Sequence, residues 1–160
     1  MTKAKGKPVI LVPVDFFPAS QAALLKACEW AECLDARIVV LHVVHEPSDM
    51  PSYFSAVLKK KHLVRIEDAA KQMCDDFIKQ LTTQYPKVGL LNKLECMLVK
   101  GIPVSRILQV ADKLDAYMLV MGSKGMTGLQ RLMLGSVAER VVQLCPHPVA
   151  VVKAIEEEGK

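Results

Sequence analysis

The chain alternates short apolar runs with longer segments whose apolar residues recur at helical spacing. Val9-Ile10-Leu11-Val12-Pro13-Val14 is apolar without interruption, the pattern of a strand covered on both faces. Ser20 suits the N-cap of a helix reaching about Leu34, with Ala23, Leu24, Ala27 and Ala31 on one face. Arg37 to Val44 predicts a second strand. Glu46 to Ser55 holds two prolines with Ser and Asp and reads as a loop. A long amphipathic helix follows from about Ala56 to Thr83, apolar at Leu63, Ile66, Ala70, Met73, Phe77 and Leu81, and stops before Pro86. Leu91 to Val99 alternates in part and predicts a third strand. Gly101-Ile102-Pro103 opens a helix through Ala111, with proline just inside the first turn. Ala116 to Met121 predicts a fourth strand, Val137 to Leu144 a last helix, and Pro148 to Val152 a fifth strand.

Strands separated by helical segments pair in parallel through right-handed crossovers. The expected fold class is therefore α/β, a doubly wound open sheet with helices on both faces. In such sheets ligands bind beyond the carboxyl ends of the strands, where strand order reverses. Two loops occupy such ends. Pro13-Val14-Asp15 closes the first strand, and Met121-Gly122-Ser123-Lys124-Gly125 closes the fourth.

The second of these loops carries the densest chemistry. Gly122 and Gly125 permit positive φ and close approach of backbone to a ligand. Gly135-Ser136 falls where the last helix begins. The free amides and positive dipole end there attract an anion, and a serine hydroxyl can add a hydrogen bond. The Walker pattern GxxxxGK[ST] and the dinucleotide pattern GxGxxG are both absent, which disfavours a P-loop ATPase or a dehydrogenase. The loop is expected to cradle a phosphate group.

Composition narrows the class further. The 160 residues, 51% hydrophobic and 24% charged, suffice for one domain with a sizeable core. That domain is expected to span 1–160, with a core at 8–153, tails at 1–7 and 154–160, and a mobile loop at 46–61. Net charge is +4, a mild basicity that suits an anionic ligand. No basic patch interleaved with aromatics argues for nucleic acid. No apolar stretch approaches the roughly 20 residues that span a bilayer, and Val9 to Val14 is too short for a secretory core. Five cysteines, an odd count without CxxC spacing, read as reduced thiols in a cytoplasmic protein.

The spacing G-x2-G-x9-G-S, as Gly122, Gly125, Gly135 and Ser136, resembles the nucleotide-binding signature of the universal stress protein family. Val12-Pro13-Val14-Asp15, Leu41-His42-Val43-Val44, Gly101-Ile102-Pro103 and the ending Cys145 to Val152 match that family in the same order. The resemblance implies a five-stranded sheet ordered 3-2-1-4-5, Rossmann-like and of the adenine nucleotide alpha hydrolase type. It also implies the ATP-binding subclass, with AMP and ADP open as alternatives and Mg²⁺ as a companion ion. By position, Asp15 would hold the ribose or adenine side with Pro13 and Val14 beside it, and Val43 and Met121 would pack on the base. The backbone of Gly122, Gly125 and Gly135 and the hydroxyls of Ser123 and Ser136 would hold phosphates, with Val137 offering an amide. Lys124 and Arg131 are further phosphate candidates, whereas Arg140 lies too far inside its helix. The family commonly dimerises through its last strand, here Val149, Ala150, Val151 and Val152, which would cover an apolar edge.

His42 and His45 are three apart on a strand, point to opposite faces, and do not make a metal pair. His147, between two prolines, shapes the turn into the last strand. No cysteine stands out as a nucleophile, and no catalytic or metal-ligating set emerges. The expected function is a nucleotide-responsive stress module with at most slow ATP hydrolysis, since no residue is assigned as base and no acidic pair for Mg²⁺ is clear. A weak ATPase or nucleotidyl-transfer enzyme on the same fold, and a nucleotide-independent interaction protein, are the alternatives.

Overall fold

The computed structural model describes residues 6–45, 52–124 and 133–154, with 52–64 as backbone only. Five strands alternate with four helices: β1 (Val9–Pro13), α1 (Pro18–Leu34), β2 (Arg37–Val44), α2 (Ser52–Gln84), β3 (Cys96–Lys100), α3 (Pro103–Lys113), β4 (Met118–Gly122), α4 (Ser136–Leu144) and β5 (Val149–Val152). The strands form one sheet in the order β3-β2-β1-β4-β5, as expected. Every pairing is parallel, with Leu11 opposite Val39 on one side and Leu119 on the other.

Alternation along β1 builds two cores. Ile10 and Val12 face Ala23, Leu24, Ala27, Phe77 and Leu81 of α1 and α2. Val9 and Leu11 face Ile107, Val110, Ala111, Ala138 and Val141 of α3 and α4. The side-chain period of two makes both faces of the central strand apolar, hence the unbroken hydrophobic run. Leu11, Ile10, Leu24 and Leu119 are fully buried.

Several boundaries differ from the sequence reading. The first helix starts at Pro18, with Phe17 rather than Ser20 as its N-cap, because the fixed φ of proline suits the first helical position. Ser20 lies one turn in, where its hydroxyl donates to the Phe17 carbonyl at 3.0 Å. The expected 46–61 loop is helical from Ser52 onward, and its first part, 46–51, lies outside the described residues. The third strand is shorter than expected. Gly89–Lys93 forms a 3₁₀ turn, which buries Leu91 against α1 and α2 instead of presenting an alternating edge.

β1 hands the chain to α1 and then to β2 on one side. β3 hands it across through α3 to β4 on the other. The connections leaving β1 and β4 diverge, so a crevice opens between neighbouring strand ends. It is placed where Asp15 and the Gly122 loop were expected to meet.

Candidate functional site

A cavity of about 380 Å³ occupies that crevice, within the size range of small-molecule sites. One wall is the end of β1, with Pro13, Val14 and Asp15. A second is β2, with Leu41, His42 and Val43. Met121, Gly122 and Lys124 continue from β4, and Gly135, Ser136, Val137 and Ala138 form the start of α4. Ser20 of α1 and Pro103 and Ile107 of α3 complete the lining.

Each polar group is held by local geometry. Asp15 Oδ1 accepts the Phe17 N–H at 3.1 Å and closes a turn before α1. The Asp15 N–H in turn approaches the Ser20 hydroxyl at 3.4 Å. Between them Phe16 adopts φ 69°, a left-handed backbone that a bulky residue rarely takes. Its ring lies 4.4 Å from the His42 ring and 5.4 Å from Phe77, and this packing secures the turn. His42 Nδ1 lies 2.9 Å from the Val14 carbonyl. A carbonyl only accepts, so Nδ1 carries the proton, and a neutral ring then keeps Nε2 as an acceptor.

On the opposite side, Gly135 caps α4 with φ −61° and ψ 147°. The first intrahelical bond runs from the Glu139 N–H to the Gly135 carbonyl at 2.8 Å. The amides of Ser136, Val137 and Ala138 precede it and belong to the donor set of a helix start. The Gly135 N–H is tied to the Ser123 carbonyl at 2.7 Å, which fixes this helix end against β4.

Of the residues expected from sequence, Pro13, Val14, Asp15, Val43, Met121, Gly122, Lys124, Gly135, Ser136 and Val137 share this one cavity. Ser123 does not line it. Its residue is 6% exposed, and its N–H donates to Val152 of β5 at 2.8 Å. Gly125 and Arg131 lie outside the described residues. Arg140 is exposed and bonds Gln143 on its own helix. Gly122 lines the cavity as expected but takes no positive φ. A Cβ there would meet the Ala19 carbonyl carbon at 2.7 Å and the Ser20 nitrogen at 2.9 Å. The glycine lets α1, rather than only a ligand, approach β4.

Sequence reasoning missed the contributions of His42, Ser20, Pro103 and Ile107. His42 enters the sequence reading through the Leu41-His42-Val43-Val44 match and as a rejected metal ligand, and its place near the carboxyl end of β2 beside the crevice is the available signal. Pro103 and Ile107 reach the cavity from a helix whose side of the sheet no periodicity specifies. His147 does more than shape a turn, since its Nε2 meets Asp112 Oδ1 of α3 at 3.0 Å. Among the described residues no cluster of three or more His, Cys, Asp or Glu could hold a metal ion, and no helix is long and apolar enough to cross a membrane.

Known proteins are similar to this chain in sequence and fold. Residues 8–153 match the sequence profile described as the universal stress protein family. Universal stress protein MJ0531 of Methanocaldococcus jannaschii is 31% identical over 149 residues, covering 93% of this chain and 84% of the relative. The solved structure of the universal stress protein UspA from Lactobacillus plantarum aligns with a TM-score of 0.73 at 27% identity, over 92% of this chain and 99% of the other. A universal stress protein from Archaeoglobus fulgidus, solved in complex with dAMP, shares the fold with a TM-score of 0.60 at 20% identity, over 92% and 98% of the two chains. With the profile running through both walls of the crevice and nearly the whole sheet, the chain belongs to the universal stress protein family.

Proposed function

We propose that this protein binds ATP in the crevice between β1 and β4 and acts as a nucleotide-responsive module, with AMP and ADP as alternative ligands of the same site. The observation that carries this reading is one cavity with a carboxylate at one end and a helix start at the other. The second oxygen of Asp15 is suited to ribose hydroxyls, because the first is engaged by Phe17. Val43 and Met121 give the base an apolar seat. The amides of Ser136 and Val137, the Ser136 hydroxyl and Lys124 offer donors and positive charge to phosphates. Gly125 and Arg131 join this set by resemblance alone. The dAMP complex of the Archaeoglobus relative supports an adenine nucleotide as the ligand class.

Asp15 is the one carboxylate lining the cavity among the described residues. A magnesium ion would therefore take its oxygens mainly from the phosphates, and hydrolysis would be slow for want of a base to orient water. The protein is further proposed to be a cytoplasmic homodimer joined through Val149 to Val152, one of the two edges of the sheet.

Melting with and without ATP–Mg²⁺ tests the site. A ligand at about 100 times its Kd adds about 2.7 kcal/mol of stability. Gly135 has an extended backbone that any residue adopts, so Gly135→Val should fold and yet fill the space beside the helix amides. The expected result is a clear ATP-dependent rise in Tm for the native protein and none for Gly135→Val. No rise in the native protein would overturn the reading, and an equal rise in both would move the phosphates elsewhere.

A further inference from the structure

Cys74 of α2 and Cys96 of β3 stand 22 positions apart in the chain with their sulfurs 2.6 Å apart. A covalent S–S bond is about 2.05 Å, so only a small approach separates this pair from a disulfide. We propose that Cys74 and Cys96 form a reversible oxidation site that a hydroperoxide converts to an intramolecular disulfide, fastening α2 to β3.

The two thiols differ in access. Cys74 is 2% exposed, whereas Cys96 is half-buried at the open edge strand β3 and reaches solvent. The thiol–thiol hydrogen bond holds the first ionisation of the pair, assigned to Cys74, below the ordinary thiol range, against the opposing effects of burial and Asp75. The same bond, with burial, pushes the second ionisation up. With one proton left between two close sulfurs, either can present the nucleophilic charge, and Cys96 is the one oxidant reaches. Its sulfur takes the distal oxygen of the hydroperoxide, the O–O bond breaks, and the alcohol leaves, giving a sulfenic acid. Cys74 then attacks that sulfur, the S–S bond forms, and water departs. Two electrons pass to the peroxide, and the two thiol protons end in the alcohol and the water.

The other cysteines set the contrast. Cys28 is 1% exposed, and its thiol is pushed up to about 11 by burial and then by Glu32, which leaves it inert. Cys33 is exposed and provides a control thiol with no described sulfur in contact. The pair lies outside the nucleotide cavity, so the reaction is testable without nucleotide.

Reduced protein treated with one equivalent of hydrogen peroxide, then alkylated under denaturing conditions and digested, reads the outcome by mass. The expected product is a peptide linking Cys74 to Cys96, lighter by two hydrogens and restored by dithiothreitol. Oxidised protein should melt on the order of 10 °C higher than reduced protein. Cys33→Ser, a surface change, should cross-link like the native chain, and Cys96→Ser should not cross-link. Complete alkylation of Cys74 and Cys96 after the peroxide is consumed, or linkage of either to Cys33, would overturn the proposal.

Discussion

Asp15 illustrates how one residue can close a turn and line the cavity together. Its Oδ1 closes the turn into α1 through the Phe17 N–H, so this structural contact is compatible with the proposed ligand role. The two roles separate chemically. Asn at this position keeps an oxygen for the Phe17 amide and loses the charge that strengthens hydrogen bonds to a ligand. Asp15→Asn should therefore melt within a degree or two of the native protein while its ATP Kd, measured by calorimetry, rises about tenfold. Unchanged affinity would confine Asp15 to the turn. Phe16 shows the cost of the same turn. Its left-handed backbone is tolerated because Phe77 and His42 pack around its ring. Nothing in the local sequence announces that strain, since Phe is the wrong residue type to signal it.

β4 passes close against the first turn of α1. Gly122 permits that contact, with backbone of Ala19 and Ser20 inside the reach of a Cβ. Gly122→Ala should cost about 1–3 kcal/mol in urea denaturation, because backbone atoms on a helix cannot step aside as a flexible side chain can. A loss under half a kcal/mol would show that α1 shifts freely. The glycine was legible in the sequence, but its reason was not, because close approach of a helix distant in the chain leaves no local pattern. The same limit explains the third strand. Leu90 and Leu91 resemble strand residues, yet Leu91 fills the base of the α1–α2 core as part of a 3₁₀ turn. By contrast β1, α3 and β5 were readable to within two residues. Unbroken apolarity, proline at a helix start and a terminal Val-rich run are local signals with local causes.

On the scale of the whole molecule, the sheet leaves two edges, β3 and β5. β5 presents Val149, Ala150, Val151 and Val152, none fully buried in the single chain. An apolar edge of this kind pairs readily with a second copy. Val151→Lys should convert a sedimenting dimer to monomer while leaving ATP binding intact, and a native chain that sediments as monomer would remove this edge from the interface. The alternation of apolar runs with helical periodicity was enough to set the class of fold, because burial on both faces of a parallel strand is written into consecutive residues. Gly135 and Ser136 marked the start of the last helix, because capping preferences are local. The family resemblance anticipated β1 beside β4, but only the tertiary structure turned Pro103 and Ile107 toward the same cavity and set two cysteines on different elements in contact. Those meetings depend on which strands neighbour and which face each crossover covers, and the chain records that choice only in the sum of its packing.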